Sequence, residues 1–114
     1  MLFRSHIPGY NVAGKTGTAQ KLLEDARGNK YYSHEKHVTS FVGFVPAEKP
    51  AFCLLVIVDE ARVSGHEDVG GLVAAPVFRT IAERSLAYLG VPPDPVLLQQ
   101  EKNPNLILAK AGRN

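Results

Sequence analysis

The sequence predicts an α+β fold: an antiparallel sheet of three strands with a C-terminal helix packed on one face. Two observations carry most of this. Residues 36–45 and 51–60 are β-rich runs joined only by Pro46-Ala47-Glu48-Lys49-Pro50, long enough for a hairpin and too short for a parallel crossover. Residues 72–89 then place Ala74, Val77, Phe78, Ile81, Ala82, Ser85, Tyr88 and Leu89 at three- and four-residue spacings, the apolar stripe of an amphipathic helix. A further extended segment, residues 10–23, supplies the third strand.

Taken in order, residues 1–8 read as a non-native or truncated start, because a loop motif follows within a few residues with no core element before it. Residues 10–23 open on Tyr10 and Val12, pass through Gly14 and Gly17, and end in Gln20-Lys21-Leu22-Leu23. Residues 24–35 are polar, contain Gly28-Asn29, and read as a turn or loop. From His37 to Val45 both alternating sets carry β-formers, which predicts a strand buried on both sides. The run from Ala51 to Val58 predicts a second interior strand ending at Asp59-Glu60, with Cys53 as a buried small hydrophobe. Residues 62–71 read as a loop ending in a glycine pair. In the helix, Pro76 suits the first turn and Gly90 the C′ position, while Phe78 and Tyr88 are expected in the core. Val91-Pro92-Pro93-Asp94-Pro95 makes a stiff exit from a domain spanning residues 9–93, and residues 94–114 read as a polar tail or linker.

Bulk properties exclude several functions. A chain of 114 residues, 45% hydrophobic, fits one small domain with a modest core. Its formal charge of +2 is interspersed, with no basic stripe and no interleaved aromatics, so nucleic acid is not an expected partner. Cys53 is the single cysteine, and an internal disulfide is therefore excluded. The sequence contains no apolar run of the ~18 residues a membrane helix needs, and no hydrophobic targeting segment.

The chemistry concentrates in Lys15-Thr16-Gly17-Thr18, which parses in two ways. With the preceding residues, Gly9 to Thr16 satisfies the phosphate-loop pattern G-x-x-x-x-G-K-[ST]. The run Leu54 to Val58 ending in Asp59-Glu60 would then supply the Mg²⁺-binding strand of a nucleotide hydrolase. Three features weigh against this. A phosphate loop leaves a buried strand and enters a helix, but His6 and Pro8 make a poor central strand. Gly17 sits where the first helical turn would form, at a cost of about 1 kcal/mol relative to alanine. The hairpin at residues 46–50 also makes the strands antiparallel.

With the residues that follow, Val12-Ala13-Gly14-Lys15-Thr16-Gly17-Thr18-Ala19-Gln20 resembles the K-T-G motif of class B penicillin-binding proteins, the monofunctional peptidoglycan transpeptidases. The likeness continues in order through Ser40-Phe41-Val42-Gly43-Phe44-Val45-Pro46-Ala47, Leu55 to Glu60, Gly70-Gly71, Ala74-Ala75-Pro76-Val77-Phe78 and Leu89-Gly90. The resemblance implies the C-terminal part of a transpeptidase domain, in which the K-T-G strand lines the active-site cleft. It implies that Lys15, Thr16, Gly17 and Thr18 bind the stem peptide. Lys15 would meet its carboxylate and support the catalytic groups. The Thr16 and Thr18 hydroxyls would bond the carboxylate, and the Thr18 backbone N–H would be an oxyanion-hole donor. Gly17 would let substrate approach closely. Implied partners are peptidoglycan stem peptides, β-lactams, the missing N-terminal part of the domain, and divisome or elongasome proteins. The implied location is the bacterial cell membrane, with the catalytic domain outside it.

The family's nucleophile motif S-x-x-K and its S-x-N motif precede K-T-G, and neither stands there in this sequence. Ser33-His34-Glu35-Lys36 matches S-x-x-K but follows K-T-G in a polar stretch with no helix to align Ser and Lys. His6, His34, His37 and His66 form no metal-ligand pattern, and neither metal nor cofactor is expected. The chain alone is therefore expected to be catalytically incomplete. A phosphate-loop fragment and a non-catalytic stem-peptide-binding module stand as alternatives.

Overall fold

The computed structural model of the protein describes residues 4–60 and 70–103. It contains one antiparallel sheet of β1 (Ala13–Glu24), β2 (Lys30–Val45) and β3 (Phe52–Asp59), in the order β1-β2-β3. A π-helical turn, Gly70–Ala74, runs directly into α1 (Ala75–Leu89), and a short α2 (Pro95–Lys102) follows. The predicted α+β architecture is therefore the observed one. The expected loop at residues 62–71 falls mostly outside the described residues, as do His66 and the end of the expected tail.

The first hairpin is longer than predicted. Residues 24–35 were expected to be a loop, but Glu24 pairs with Lys30 and Leu22 with Tyr32, so only residues 25–29 turn. Asp25 explains the tightness, because its Oδ1 accepts the N–H groups of Arg27 and Asn29, both at 2.9 Å. Gly28 takes the positive φ of 82° that the turn requires. The polar residues on either side can be strand because this arm meets solvent along nearly all its length, Ser33 excepted.

The core lies on one face of the sheet only. Phe41, Val45 and Val56 from the strands meet Ala74, Ala75, Phe78, Ala82 and Leu86 from the helical side. The Phe41 and Phe78 rings stand 4.7 Å apart at 58°, a tilted pair worth about 0.5–1.5 kcal/mol beyond its buried area. Gly43 makes room for this contact, since a Cβ there would lie 2.8 Å from the Phe78 ring.

Burial on both sides of β2 and an interior position for β3 were expected, and neither is found. Val42 and Phe44 on β2, and Leu55 and Ile57 on β3, are exposed. Side chains alternate between faces, and α1 covers only the face that carries Phe41. Cys53 is exposed for the same reason, since it pairs with Phe44 on the open face at the sheet's edge. Tyr88, expected in the core, is 91% exposed. The buried stripe of α1 is the narrow set Ala75, Phe78, Ala82 and Leu86, and Tyr88 lies about 200° around the helix from Leu86. Gly90 ends α1 as predicted, with φ of 72°, while the Val91 N–H donates to Leu86 C=O at 3.0 Å.

Residues 95–102, read from sequence as part of a polar tail, are helical. Asp94 Oδ1 accepts the Val96 N–H at 2.9 Å as an N-cap, and Pro95 occupies the first turn.

Candidate functional site

β1 forms one edge of the sheet, and the register with β2 decides what that edge presents. Lys15 pairs with Val42 and Gly17 with Ser40, which puts both on the open face. Gly14, Thr16 and Thr18 pair with Gly43, Phe41 and Thr39, on the face that α1 covers further along. The Thr16 and Thr18 side chains therefore lie on the opposite side of the strand from that of Lys15.

The main chain follows the same parity. Glu60 N–H donates to His37 C=O at 2.8 Å, so His37, and with it Thr39, Phe41 and Gly43, turn their peptide groups toward β3. Val38, Ser40 and Val42 consequently turn theirs toward β1, where Ala19, Gly17 and Lys15 receive them. The N–H and C=O groups of Gly14, Thr16 and Thr18 are left directed to the open edge. The Lys15 ammonium agrees with this, reaching around the edge to donate to Thr16 C=O at 3.0 Å. An extended peptide can pair with such an edge, and the Thr18 N–H points into the same space.

The two glycines of the strand answer different needs. A Cβ at Gly14 would lie 2.6 Å from the Phe41 ring and 3.0 Å from Val42 C=O, so core packing alone accounts for Gly14. A Cβ at Gly17 would meet only the Ser40 hydroxyl, at 2.8 Å, and that group can rotate away. Packing among the described residues leaves Gly17 unexplained. Its bare face on the open side, beside Lys15 and Ser40, is room for something outside the chain. Ser40 itself was not identified from sequence, because its place opposite Gly17 is a property of register.

The remaining sequence candidates are engaged elsewhere. Asp59 and Glu60, the expected Mg²⁺ ligands of the phosphate-loop reading, both bind Lys21 Nζ, at 2.7 and 3.0 Å. Lys21 sits at the bulge between Gln20 and Leu22 and so reaches across β2. Gly14 to Gln20 is continuous strand, with no loop and no following helix. The phosphate-loop reading therefore has neither its cradle nor its carboxylates. Ser33 is buried in β2, where its hydroxyl accepts the N–H groups of Glu35 and Lys36 at 3.1 and 2.9 Å. That is a local turn, not a nucleophile with its base. His6, exposed at the surface, lies 2.8 Å from Glu101. No group of three or more potential metal ligands occurs among the described residues, and no helix among them is long and apolar enough to cross a membrane.

Hydrogen bonds donated to Asp59 first and Glu60 second hold the Lys21 ammonium above its ordinary value of 10.5. A raised lysine contributes its full stabilisation below the unfolded value and loses it as pH rises through the folded one. The stability gap between wild type and Lys21→Met should thus be constant from about pH 6 to 9 and close in strong alkali. Urea unfolding across that range checks this. A gap that changed near neutrality would trace to other groups.

A three-stranded sheet backed by a helix, with K-T-G on its free edge, defines the class: one wall of a serine transpeptidase domain. The penicillin binding protein transpeptidase domain family matches residues 2–83. The probable peptidoglycan D,D-transpeptidase PenA of Neisseria flavescens is 42% identical over 87 residues, 76% of this chain and 20% of that protein. Stage V sporulation protein D of Bacillus subtilis is 44% identical over 87 residues, 76% of this chain and 12% of that protein. Among solved structures, the transpeptidase domain of Burkholderia pseudomallei penicillin-binding protein 3 superposes with a TM-score of 0.62 at 43% identity, over 79% of this chain and 25% of that one. The chain belongs to the penicillin-binding protein transpeptidase family, as a fragment of the class B type. It spans a quarter or less of the length of these relatives.

Proposed function

We propose that this chain is the substrate-holding wall of a peptidoglycan D,D-transpeptidase, with Lys15, Thr16, Gly17 and Thr18 as its binding residues. The carrying observation is the edge of β1, where the Thr16 and Thr18 peptide groups are directed outward beside a glycine that internal packing does not require. A stem peptide lies along this edge as an added strand. The Thr18 N–H donates to the oxyanion formed at the scissile carbonyl, and preorganised donors of this kind are typically worth about 3 kcal/mol each. Lys15, exposed with its ammonium at the edge, supplies positive charge for the peptide carboxylate and for the groups that move the proton. The Thr16 and Thr18 hydroxyls, on the opposite side of the strand from the Lys15 side chain, are assigned to the carboxylate.

The attacking serine and its lysine come from a part of the domain that this sequence does not contain. The exposed apolar set Val42, Phe44, Leu55 and Ile57 is the face such a part would cover, because patches of this kind mark interaction sites. In the complete enzyme the serine forms an acyl-enzyme with one stem peptide and passes the acyl group to an amine on another, outside the bacterial cytoplasmic membrane. β-Lactams react at the same serine, and divisome or elongasome proteins are the enzyme's partners.

The test is covalent labelling. A fluorescent penicillin should leave the purified 114-residue chain unlabelled and should label a protein in which the same sequence follows S-x-x-K and S-x-N in frame. Labelling of the short chain would show that it holds a nucleophile of its own. Failure of the longer protein to label would remove the transpeptidase assignment.

A further inference from the structure

α2 lies beyond residue 83, where the family match ends, yet it is built onto the segment that leads into the K-T-G strand. Ile7-Pro8-Gly9-Tyr10 is a tight turn, closed by Tyr10 N–H to Ile7 C=O at 3.1 Å, with Gly9 at φ of 84°. The Asp94 N–H donates to Gly9 C=O at 2.8 Å. A Cβ at Gly9 would fall 2.5 Å from Pro93 and 3.2 Å from Leu98, so the linker and α2 sit directly on the turn. Tyr10 Oη donates to Val91 C=O at 2.5 Å, and His6 Nε2 lies 2.8 Å from Glu101. β1 begins at Ala13, three residues beyond this anchored turn. Its outer edge has no neighbouring strand among the described residues, so the lead-in fixes where that edge starts.

We infer that α2 is a brace for the K-T-G strand: Asp94, Leu98 and Glu101 are positioning residues that clamp the 6–10 turn and so set the place of the Thr16–Thr18 edge. The clamp combines one main-chain hydrogen bond, one apolar contact and one polar side-chain contact, all on a five-residue segment. An edge strand paired on one side only frays from its free end unless it is tied down. The brace supplies that tie. Its bearing on catalysis rests on the reading of the edge as the stem-peptide seat.

Amide hydrogen exchange of the 114-residue chain, followed by mass spectrometry, tests the brace without any penicillin. Leu98→Asp should speed exchange in peptides covering residues 8–20 by about tenfold and leave residues 52–59 within about twofold. Leu98→Met should restore protection, and Glu101→Gln should give a smaller change in the same peptides. Equal acceleration of both regions, no acceleration, or an unprotected 8–20 segment in the wild type would each overturn the brace. Penicillin labelling of the complete enzyme supplies the second arm, with Leu98→Asp expected to slow acylation about tenfold while the thermal midpoint holds. Localised exchange with unchanged acylation would leave the clamp standing and remove its positioning role. Loss of labelling in the wild-type complete enzyme would strike the reading of the edge instead.

Discussion

Replacing Phe78 with alanine should destabilise the chain by about 3–5 kcal/mol. Phe78 is fully buried and is the one aromatic side chain that α1 drives into the sheet. Its ring meets that of Phe41 at 4.7 Å in a tilted pair and fills the hollow that Gly43 leaves open. The substitution removes the aromatic pair and leaves a cavity that neighbouring strands, held by their ladder, can only partly close. Small domains have roughly 5–15 kcal/mol in all, and here the core is confined to one sheet face. Loss of Phe78 should therefore leave the chain largely unfolded at 37 °C. Urea denaturation followed by circular dichroism is the measurement. The complementary change, Gly43→Ala, should cost about 1–3 kcal/mol by overpacking the same contact. A Phe78→Ala loss below about 1 kcal/mol would mean that α1 does not hold the sheet.

The second large effect concerns chemistry rather than stability. In the complete enzyme, Lys15→Ala should slow acylation by a fluorescent penicillin by about 10²–10³-fold, the size typical of a lost electrostatic partner at an oxyanion site. Gly17→Val should have a comparable effect by filling the bare face of the edge. Neither should disturb folding much. Lys15 is exposed and its recorded bond is to the carbonyl of the next residue, and a Cβ at Gly17 meets only a rotatable hydroxyl. Thermal midpoints within about 2 °C of wild type are expected for both. Gly14→Ala is the contrast, since its Cβ strikes the Phe41 ring and should lower stability first. If Gly17→Val proved as destabilising as Gly14→Ala, the glycine would be structural and the argument from close approach would fail.

Much of this was legible without coordinates because it depends on local rules. Two prolines in a five-residue connection dictate an antiparallel hairpin. Gly90 after an apolar stripe stops a helix, since a positive φ suits glycine. Lys15-Thr16-Gly17-Thr18 within a longer series of matching stretches pointed to the family. Other features were misread where one local rule had two outcomes. Val42 and Phe44 are as good β-formers as Phe41 and Val45, so composition made β2 look buried on both sides. Tyr88 belongs to the three- and four-residue spacing of α1, but the apolar arc is wider than the contact with the sheet. Asp94-Pro95 is both a stiff exit and a helix start, and only the seat offered by Pro93 and Gly9 to Leu98 shows which. Lys21 gave no signal of pairing with Asp59 and Glu60, because the bulge that aims it is a property of two strands together.

The sequence by itself determined the three strands and the long helix and their antiparallel order, which follow from spacing and residue chemistry along one chain, and the family, which followed from a series of matching stretches. Only the tertiary structure decided which sheet face α1 covers, which peptide groups of β1 point outward, and that α2 returns to clamp the turn before it. The physical reason is parity. A strand has two faces and two edges, its own pattern is nearly symmetric between them, and the choice is made by the register of its neighbour and the helix that lands on it.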